Sequence, residues 1–333
     1  MSVLVFGVSM LLAQGQSIAI LNHEGEEQIF NGAKALIEAH AAANHGDVIT
    51  LSSGSFNFEG ITKAITLRGA GMFRDSLRNT FSTSLNNSSS VKINISDENE
   101  NNLLIEGILF SCNVTITNVN NANFVKCDFA EKVYMPTELQ KSNTANFIHC
   151  YINKFDSYKG SNDTTADLFK FVNCYVRDIS TTKNDQCYIT NCIIGFSSAL
   201  SLYNSFVCNS ILDFAKYFGE LSKTNNVFNT IAISTSNAVL KNHPNQANQV
   251  ISDYTYIFKN DIGDNINKRT TFELTDEAKI KYLGLDGTQV GIYGGQFPFN
   301  PIPANPQITK CDVAPKSTAD GKLSVDIEVK IIE

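Results

Sequence analysis

The chain of 333 residues contains no tryptophan, and only 18 % of its residues are charged. Such a small share of charge leaves little for the solvated faces of amphipathic helices. Uncharged polar residues (Asn, Ser and Thr) are abundant instead and suit the turns of a β-rich fold. Hydrophobic residues make up 43 % of the chain, so we expect a substantial core.

The sequence also lacks a run of basic residues, and its net charge is −7. We therefore expect neither nucleic acid nor an anionic membrane surface as a partner. No C-x-x-C pair is present, which argues against a structural zinc site. The nucleophile-elbow, zincin, phosphate-loop and EF-hand motifs are missing too, so no motif predicts a reaction.

A frame of six residues recurs seven times within residues 104–232. It consists of an apolar residue, any two residues, a small residue, any residue and a second apolar residue. The small residue returns after 18 to 24 positions, which is typical of stacked-repeat proteins. In chain order the small residues are Gly107, Cys127, Cys150, Cys174, Cys192, Ser210 and Thr230.

The spacing within the frame predicts a bend. The small residue and the second apolar residue are two positions apart, as on one face of a strand, but the first apolar residue lies three positions before the small one. An asparagine stands directly before the small residue in the last four copies: Asn173, Asn191, Asn209 and Asn229. Asparagine tolerates the left-handed conformation of a sharp bend. Each copy therefore predicts a strand, a tight bend and a second strand.

Short strands that form one coil per repeat make a parallel β-helix. Over residues 30–296 the sequence resembles the right-handed parallel β-helix proteins of the pectate-lyase-like class. Residues 285–295, LDGTQVGIYGG, resemble the closing segment of secreted β-helix proteins of a largely uncharacterised, glycan-associated group from Gram-negative bacteria. The resemblance implies a helix that closes the N-terminal end of the solenoid and a glycan groove on an outer sheet face.

We predict four segments. Residues 1–16 read as a signal peptide, because residues 3–12 are apolar and small residues follow, and a first buried strand is the alternative. Residues 17–296 form the β-helix with its N-terminal cap, 297–306 a Pro-rich linker, and 307–333 an antiparallel strand pair that packs on the solenoid. The protein is then secreted, periplasmic or at the cell surface, with no membrane span.

Local patterns predict individual elements. We expect a helix over residues 31–44 with Asn31 as its N-cap, and a second helix capped by Thr275. Alternating or continuous apolar runs predict strands at 48–51, 65–71, 91–95, 307–313 and 323–331, whereas 74–90 reads as a loop.

Four of the eight cysteines share the small-residue position, so their thiols are expected to form a buried column with neighbours about 4.8 Å apart. Disulfides remain the alternative in a secreted chain. The bend asparagines are expected to hydrogen-bond one another up the stack, and a row that contacts a ligand is the alternative.

Outward positions after each bend predict two polar rows, one of Lys132, Lys154 and Asp178 and one of Tyr134, Asp156 and Ser180. The candidate catalytic residues are Lys154, Asp156, Arg177 and Asp178, since β-elimination needs a base and glycoside hydrolysis two carboxyl groups. The candidate substrate-binding residues are Lys132, Tyr134, Tyr151 and Tyr175. Exposed charges are usually only solvated, and paired tyrosines also stabilise sheets without a ligand.

The predicted function is the binding or processing of a polysaccharide or cell-surface glycan. No cofactor is predicted, except calcium if the protein is a lyase. The lack of tryptophan weighs against a platform for sugar rings. The alternative is a non-catalytic surface or adhesive scaffold without a small-molecule site.

Overall fold

A computed structural model describes residues 17–74, 81–95, 102–136, 142–157, 165–195, 202–214, 221–234, 237–243, 247–252, 254, 257–259, 272–303, 307–313, 316–318 and 320–330. At residues 237–238, within 307–313 and at residue 330 only the backbone is described. The predicted signal peptide lies outside these residues.

The chain forms the predicted parallel β-helix, a solenoid of about seven turns. One sheet, sheet A, has eleven strands, which pair in parallel except at β1. In spatial order they are β2 (Glu26–Asn31), β1 (Ile18–His23), β3 (Val48–Leu51), β6 (Thr66–Arg68), β9 (Leu104–Glu106), β12 (Ala122–Val125), β14 (Thr144–Ile148), β16 (Leu168–Val172), β19 (Gln186–Thr190), β21 (Phe206–Cys208) and β23 (Asn226–Phe228).

The second sheet, sheet B, begins directly after each bend and has two arms. The first arm contains β4 (Gly54–Asn57), β7 (Thr83–Asn86), β10 (Ile108–Phe110), β13 (Asp128–Tyr134), β15 (Tyr151–Asp156), β17 (Tyr175–Val176), β20 (Ile193–Gly195), β22 (Ile211–Asp213), β24 (Ile231–Ile233) and β25 (Gln249–Ile251). The second arm contains the ends of β13 and β15 together with β5 (Gly60–Ile61), β8 (Ser90–Asn94), β11 (Asn113–Thr117) and β18 (Ile179–Ser180).

The predicted bends join the two sheets. Asn173, Asn191, Asn209 and Asn229 all have positive φ angles, between 45° and 53°. His149 occupies the same position with a φ of 53°, as its place in the frame predicts. A left-handed residue turns the chain within one position and explains the three-residue step between inward side chains.

The interior is filled by columns of like side chains. Phe124, Phe147 and Phe171 stack with ring centroids 5.0 and 5.2 Å apart. The predicted thiol column is present, since the amide of Cys150 lies 3.3 Å from Cys174 Sγ and the amide of Cys174 lies 3.4 Å from Cys192 Sγ. All seven cysteines with described side chains are free thiols.

The N-terminal cap differs from its prediction. The helix α1 spans Ala35–Ala42 rather than 31–44, and Asn31 is not its cap. Residues 26–31 instead form β2, which pairs antiparallel with β1 and extends sheet A by a hairpin. The buried face of α1 packs on the end of the core, and Lys63 Nζ donates to the final carbonyl groups at His40, Ala41 and Ala43.

The predicted loop over residues 74–90 was also wrong in part, because β7 and the start of β8 lie within it and complete one coil. The polar outward residues of β7 hide its alternation in the sequence. The 3₁₀ helix Asn237–Leu240 lies near the C-terminal end of the solenoid. The helix α2 spans Asp276–Lys281, and Thr275 caps it as predicted by accepting from the amide of Ala278.

The last strands, β26 (Gln307–Val313) and β27 (Val325–Lys330), form the predicted antiparallel pair. The apolar side chains of Leu323, Val325, Ile327 and Val329 are all about half exposed. The packing of this strand pair on the solenoid stays a prediction. No helix in the described part of the chain is long and apolar enough to cross a membrane.

Candidate functional site

The two predicted polar rows lie side by side on the outer face of the second arm of sheet B. Lys132 pairs in register with Lys154, and Tyr134 pairs with Asp156. The next coil continues the second row, because Asp156 pairs with Ser180. The same pairing sets Asp178 beside Lys154. We call this surface, formed by Lys132, Tyr134, Lys154, Asp156 and Asp178, the charged face.

Ion pairs connect the coils of the charged face. Lys132 Nζ lies 2.6 Å from Asp156 Oδ2, and Lys154 Nζ lies 3.7 Å from Asp178 Oδ2. The lysine side chains are 35 % and 43 % exposed, whereas the aspartates are only 20 % and 11 % exposed. The carboxylates are therefore recessed, and the ammonium groups form the outermost charge. Lys132 Nζ also lies 4.5 Å from the ring centroid of Tyr134.

Arg177 lies beside this group rather than in it. Its Nη1 donates to Asn153 Oδ1 at 2.9 Å, on the previous coil. The side chain is exposed, and the backbone of Gly195 packs closely against its carbonyl group. Arg177 thus remains available to a ligand at the edge of the charged face.

Tyr151 and Tyr175 are register partners as predicted, but they are not an exposed strip. They are 6 % and 1 % exposed, because the C-terminal part of the chain lies over them. The Phe272 ring packs 4.8 Å from Tyr175, and the Phe299 ring packs 5.2 Å from Tyr151. Burial raises the pKa of both phenols. A sugar ring cannot stack on them while this cover is in place, so we leave them out of the proposed site.

Residues 282–303 are the part of this covering chain that follows the column of bends, and we call them the C-terminal segment. Asn173 Nδ2 donates to the carbonyl groups of Ile292 and Gly294 at 2.7 and 2.8 Å. Further bonds to the segment come from Lys126, His149, Asn209 and Asn229. The prediction that the bend asparagines hydrogen-bond one another was therefore wrong. Asn173, Asn209 and Asn229 are instead hydrogen-bonded to the C-terminal segment. The residues of the predicted linker that are described, 297–303, belong to it.

An exposed aromatic column on sheet A was missed by the sequence analysis. Tyr188 is 46 % exposed, and Phe206 and Phe228 are partly exposed on the next coils. Their ring centroids are separated by 6.3 and 5.5 Å. The signal was present, because Tyr188 and Phe206 each directly precede the first apolar residue of a frame, a position that alternation turns outward.

An open depression of about 470 Å³ lies between β25 and α2, away from both surfaces. Within the described ranges, no group of three or more His, Cys, Asp or Glu side chains could hold a metal ion. Comparisons with protein-family models, with curated proteins and with solved structures found no match to this chain. The fold and these surfaces are thus the basis for a functional proposal.

Proposed function

We propose that the protein binds an acidic polysaccharide along the charged face. The observation that carries this proposal is the contrast between exposed lysines and recessed aspartates on adjacent coils. Ammonium groups at the surface attract the carboxylates of a uronic acid chain, and the recessed aspartates can accept hydrogen bonds from its hydroxyl groups. Tyr134 adds an aromatic ring beside Lys132.

The β-helix supports this proposal by its periodicity. Successive coils place similar side chains about 4.8 Å apart, so a polymer with repeating charges meets repeating partners. We also propose that the chain is related to the pectate-lyase-like class. The β-helix architecture alone hosts several functions, so this part of the proposal rests on the sequence resemblance. We also propose that the protein is secreted. A reporter protein fused to residues 1–16 tests this, because it should be exported whereas the reporter alone should not.

Affinity electrophoresis through gels that contain polygalacturonate or alginate tests the binding. We expect the double variant Lys132→Gln/Lys154→Gln to bind at least tenfold more weakly than the natural chain. Its matched control is Lys183→Gln/Lys223→Gln, which removes the same charge from two exposed turns. Equal retardation of all three proteins in both gels, with native circular dichroism spectra, rules out the charged face.

Cleavage of the bound chain is the second candidate, favoured by the presence of two carboxylates on adjacent coils. Asp156 and Asp178 are diagonal neighbours, and the backbone positions of such neighbours lie about 7–8 Å apart, a spacing from which two side chains can reach the carboxyl separation of glycosidases. Elimination would use Lys154 or Arg177 as the base and would produce unsaturated ends. New ultraviolet absorbance reports elimination, and new reducing ends without it report hydrolysis. Activity that survives both Lys154→Ala and Asp178→Ala excludes this site.

A further inference from the structure

The column of bends changes its chemistry towards the N-terminal end of the solenoid. The bend residue is asparagine on the four coils from Asn173 onwards, but it is His149 on the coil before them and Lys126 on the coil before that. Both keep the left-handed conformation, with φ angles of 53° and 52°. The residues directly before them, Ile148 and Val125, are register partners, so the two bends lie on adjacent coils. Two side chains that can carry a positive charge are therefore neighbours in the column.

Both side chains bind the end of the C-terminal segment. Lys126 Nζ donates to the carbonyl group of Ile302 at 2.5 Å, and His149 Nε2 lies 3.0 Å from the carbonyl oxygen of Phe297. A carbonyl oxygen only accepts, so Nε2 carries the proton of the neutral imidazole and Nδ1 keeps the lone pair. Residues 290–303 contain no charged side chain, so this part of the segment offers neither group a counter-charge.

His149 Nδ1 is poorly placed to take up a second proton. The residue is only 8 % exposed, and Nδ1 is buried without a hydrogen-bond partner among the described residues. The ring centroid lies 5.9 Å from that of Phe299. Burial lowers the pKa of His149 and the charge of Lys126 lowers it further, whereas the carbonyl groups of Phe297 and Asn300 favour the charged form. The segment therefore binds the neutral form of His149.

We propose that His149 is an acid-sensitive latch, and that its protonation releases residues 297–303 from the bends and uncovers Tyr151. Release allows water to solvate the imidazolium, which is otherwise buried beside a second cation. Phe299 covers Tyr151 from within the released residues, with ring centroids 5.2 Å apart. The preceding part of the segment is bound by bend asparagines, which do not titrate, so the opening is confined to the end of the segment.

The neighbouring charges explain why His149 is the residue that responds. The charged or titratable side chains around the latch are Lys126 on the adjacent bend, Arg68 and Glu106 on the coils beyond it, Asp128 and Tyr151 on sheet B, and Tyr293 in the segment. Burial raises the pKa of both phenols, so they stay neutral. The Glu106 carboxylate favours the charged form of Lys126. Protonation of His149 thus adds a second positive charge beside an existing one.

The pH window follows from the direction of the pKa shift. Above 6.5, the ordinary pKa of histidine, His149 is neutral whether the segment is bound or released, and the latch stays closed. Below it the released form binds a proton that the bound form resists, so the opening equilibrium rises by up to about tenfold for each pH unit. The latch is therefore closed at neutral pH and opens as the pH falls.

Hydroxyl-radical footprinting with mass spectrometry tests the latch on the natural chain. Between pH 7.5 and pH 5 we expect the oxidation of Phe299 to rise at least threefold and that of Tyr151 at least twofold. Tyr175 is the internal control, because Phe272 covers it instead of the released residues. Its oxidation should change little, as should that of Phe297, which is already 77 % exposed.

His149→Asn is the decisive variant, because asparagine is the bend residue of the next four coils and does not titrate. It should remove the rise in Phe299 oxidation. His243→Asn is the matched control, since His243 is also buried and burial lowers its pKa, but it lies near the C-terminal end of the solenoid. It should open like the natural chain. So should Lys132→Gln/Lys154→Gln, because the latch does not depend on the proposed function.

Three results would overturn the inference. One is a natural chain whose Phe299 stays protected at pH 5, and another is an equal rise in His149→Asn, which assigns the opening to a different group. The third is a parallel rise at Tyr175 or at the core residue Phe171, because acid then removes the whole cover or unfolds the coils. Circular dichroism at pH 7.5 checks the fold of each variant.

Discussion

His40 links the N-terminal cap to the first coils through a bond that depends on its protonation state. Its Nε2 accepts from the amide of Thr62 at 3.2 Å, and its ring packs edge-on against Phe58. Burial, with a smaller contribution from Lys63, lowers the pKa of His40 from 6.5 to about 4. The folded protein thus favours the neutral imidazole, which can act as an acceptor.

Stability should fall between pH 6.5 and 4 because of this residue. Above pH 6.5 His40 is neutral in both states and its contribution is fully present. As the pH falls, the unfolded chain binds a proton that the folded chain resists, so the free energy of unfolding decreases by about 1–3 kcal/mol. In His40→Gln the amide oxygen accepts from Thr62 and does not titrate. Urea denaturation at several pH values should show a smaller decrease for His40→Gln, and parallel curves contradict the assignment.

The thiol column shows what kind of side chain the small-residue position of the frame requires. Ser210 occupies the same position as Cys174, and its hydroxyl group donates to the carbonyl of Cys208 at 2.7 Å. Cys174 Sγ makes the equivalent contact with the carbonyl of Val172 at 3.2 Å. Burial raises the pKa of Cys127, Cys150 and Cys174. At Cys174 and Ser210 the side chain is small and donates to the carbonyl group two residues before it, so sulfur is not required.

Substitution at Cys174 should separate size from chemistry. Cys174→Ser is expected to change the free energy of unfolding by only about 1 kcal/mol, because it reproduces the bond that Ser210 makes. Cys174→Leu adds volume to a filled column and should cost about 1–3 kcal/mol or more. Chemical denaturation measures both values. Equal costs for the two variants would show that size is not what the column requires.

At the scale of elements, the bend asparagine has two functions: it turns the chain, and its side chain binds the C-terminal segment. The sequence indicates only the first of them. The spacing of the frame predicts the left-handed asparagine, because only local backbone geometry is involved. The partner of that asparagine lies more than a hundred positions away, as with Asn173 and Ile292. The C-terminal segment carries no periodic pattern that links it to the bends, so the cover over Tyr151 and Tyr175 could not be predicted.

Variants of Asn173 can separate these two functions. Asn173→Gly keeps the left-handed conformation but leaves two buried carbonyl groups without their donor, which should cost about 2–3 kcal/mol. Asn173→Ala should cost about 1–2 kcal/mol more, because alanine is strained there. Both should speed proteolysis of the C-terminal segment.

Asn229→Gly is the matched control, since Asn229 is less buried and makes a single bond of 3.3 Å to the segment. It should cost less than about 1 kcal/mol. Equal costs for Asn173→Gly and Asn229→Gly would show that the segment contributes little at this point.

At the scale of the whole molecule, the repeat determines the middle of the solenoid but not its ends. Buried strands in register need one pattern per coil, so the described strands of residues 122–232 could be predicted almost to the residue. The first predicted copy of the frame was wrong by one position, because Ile105 pairs in register with Phe124 and Gly107, with a φ of 68°, is the bend residue rather than the small inward residue. The charged rows followed from the same alternation. The ends lack this constraint, and different solutions closed them, namely the β1–β2 hairpin with α1 at one end and 3₁₀ and α2 helices near the other.

The N-terminal cap should be required for solubility, whereas the final strand pair should be dispensable for the solenoid. In the natural chain β2 is the edge of sheet A and carries Glu26 and Glu27, charges that discourage pairing with another chain. Deletion of residues 1–44 removes this edge and α1, so β3 and the end of the core become exposed. We expect that variant to aggregate in size-exclusion chromatography and light scattering.

Deletion of residues 304–333 is the matched truncation at the other end. Among the described strands, β26 and β27 pair only with each other. Their removal should therefore leave the main unfolding transition of the solenoid within a few degrees of its original temperature. If the protein without residues 1–44 is monodisperse, the exposed edge of β3 is protected in another way. If deletion of residues 304–333 causes a large loss of stability, the apolar face of the strand pair packs against the solenoid.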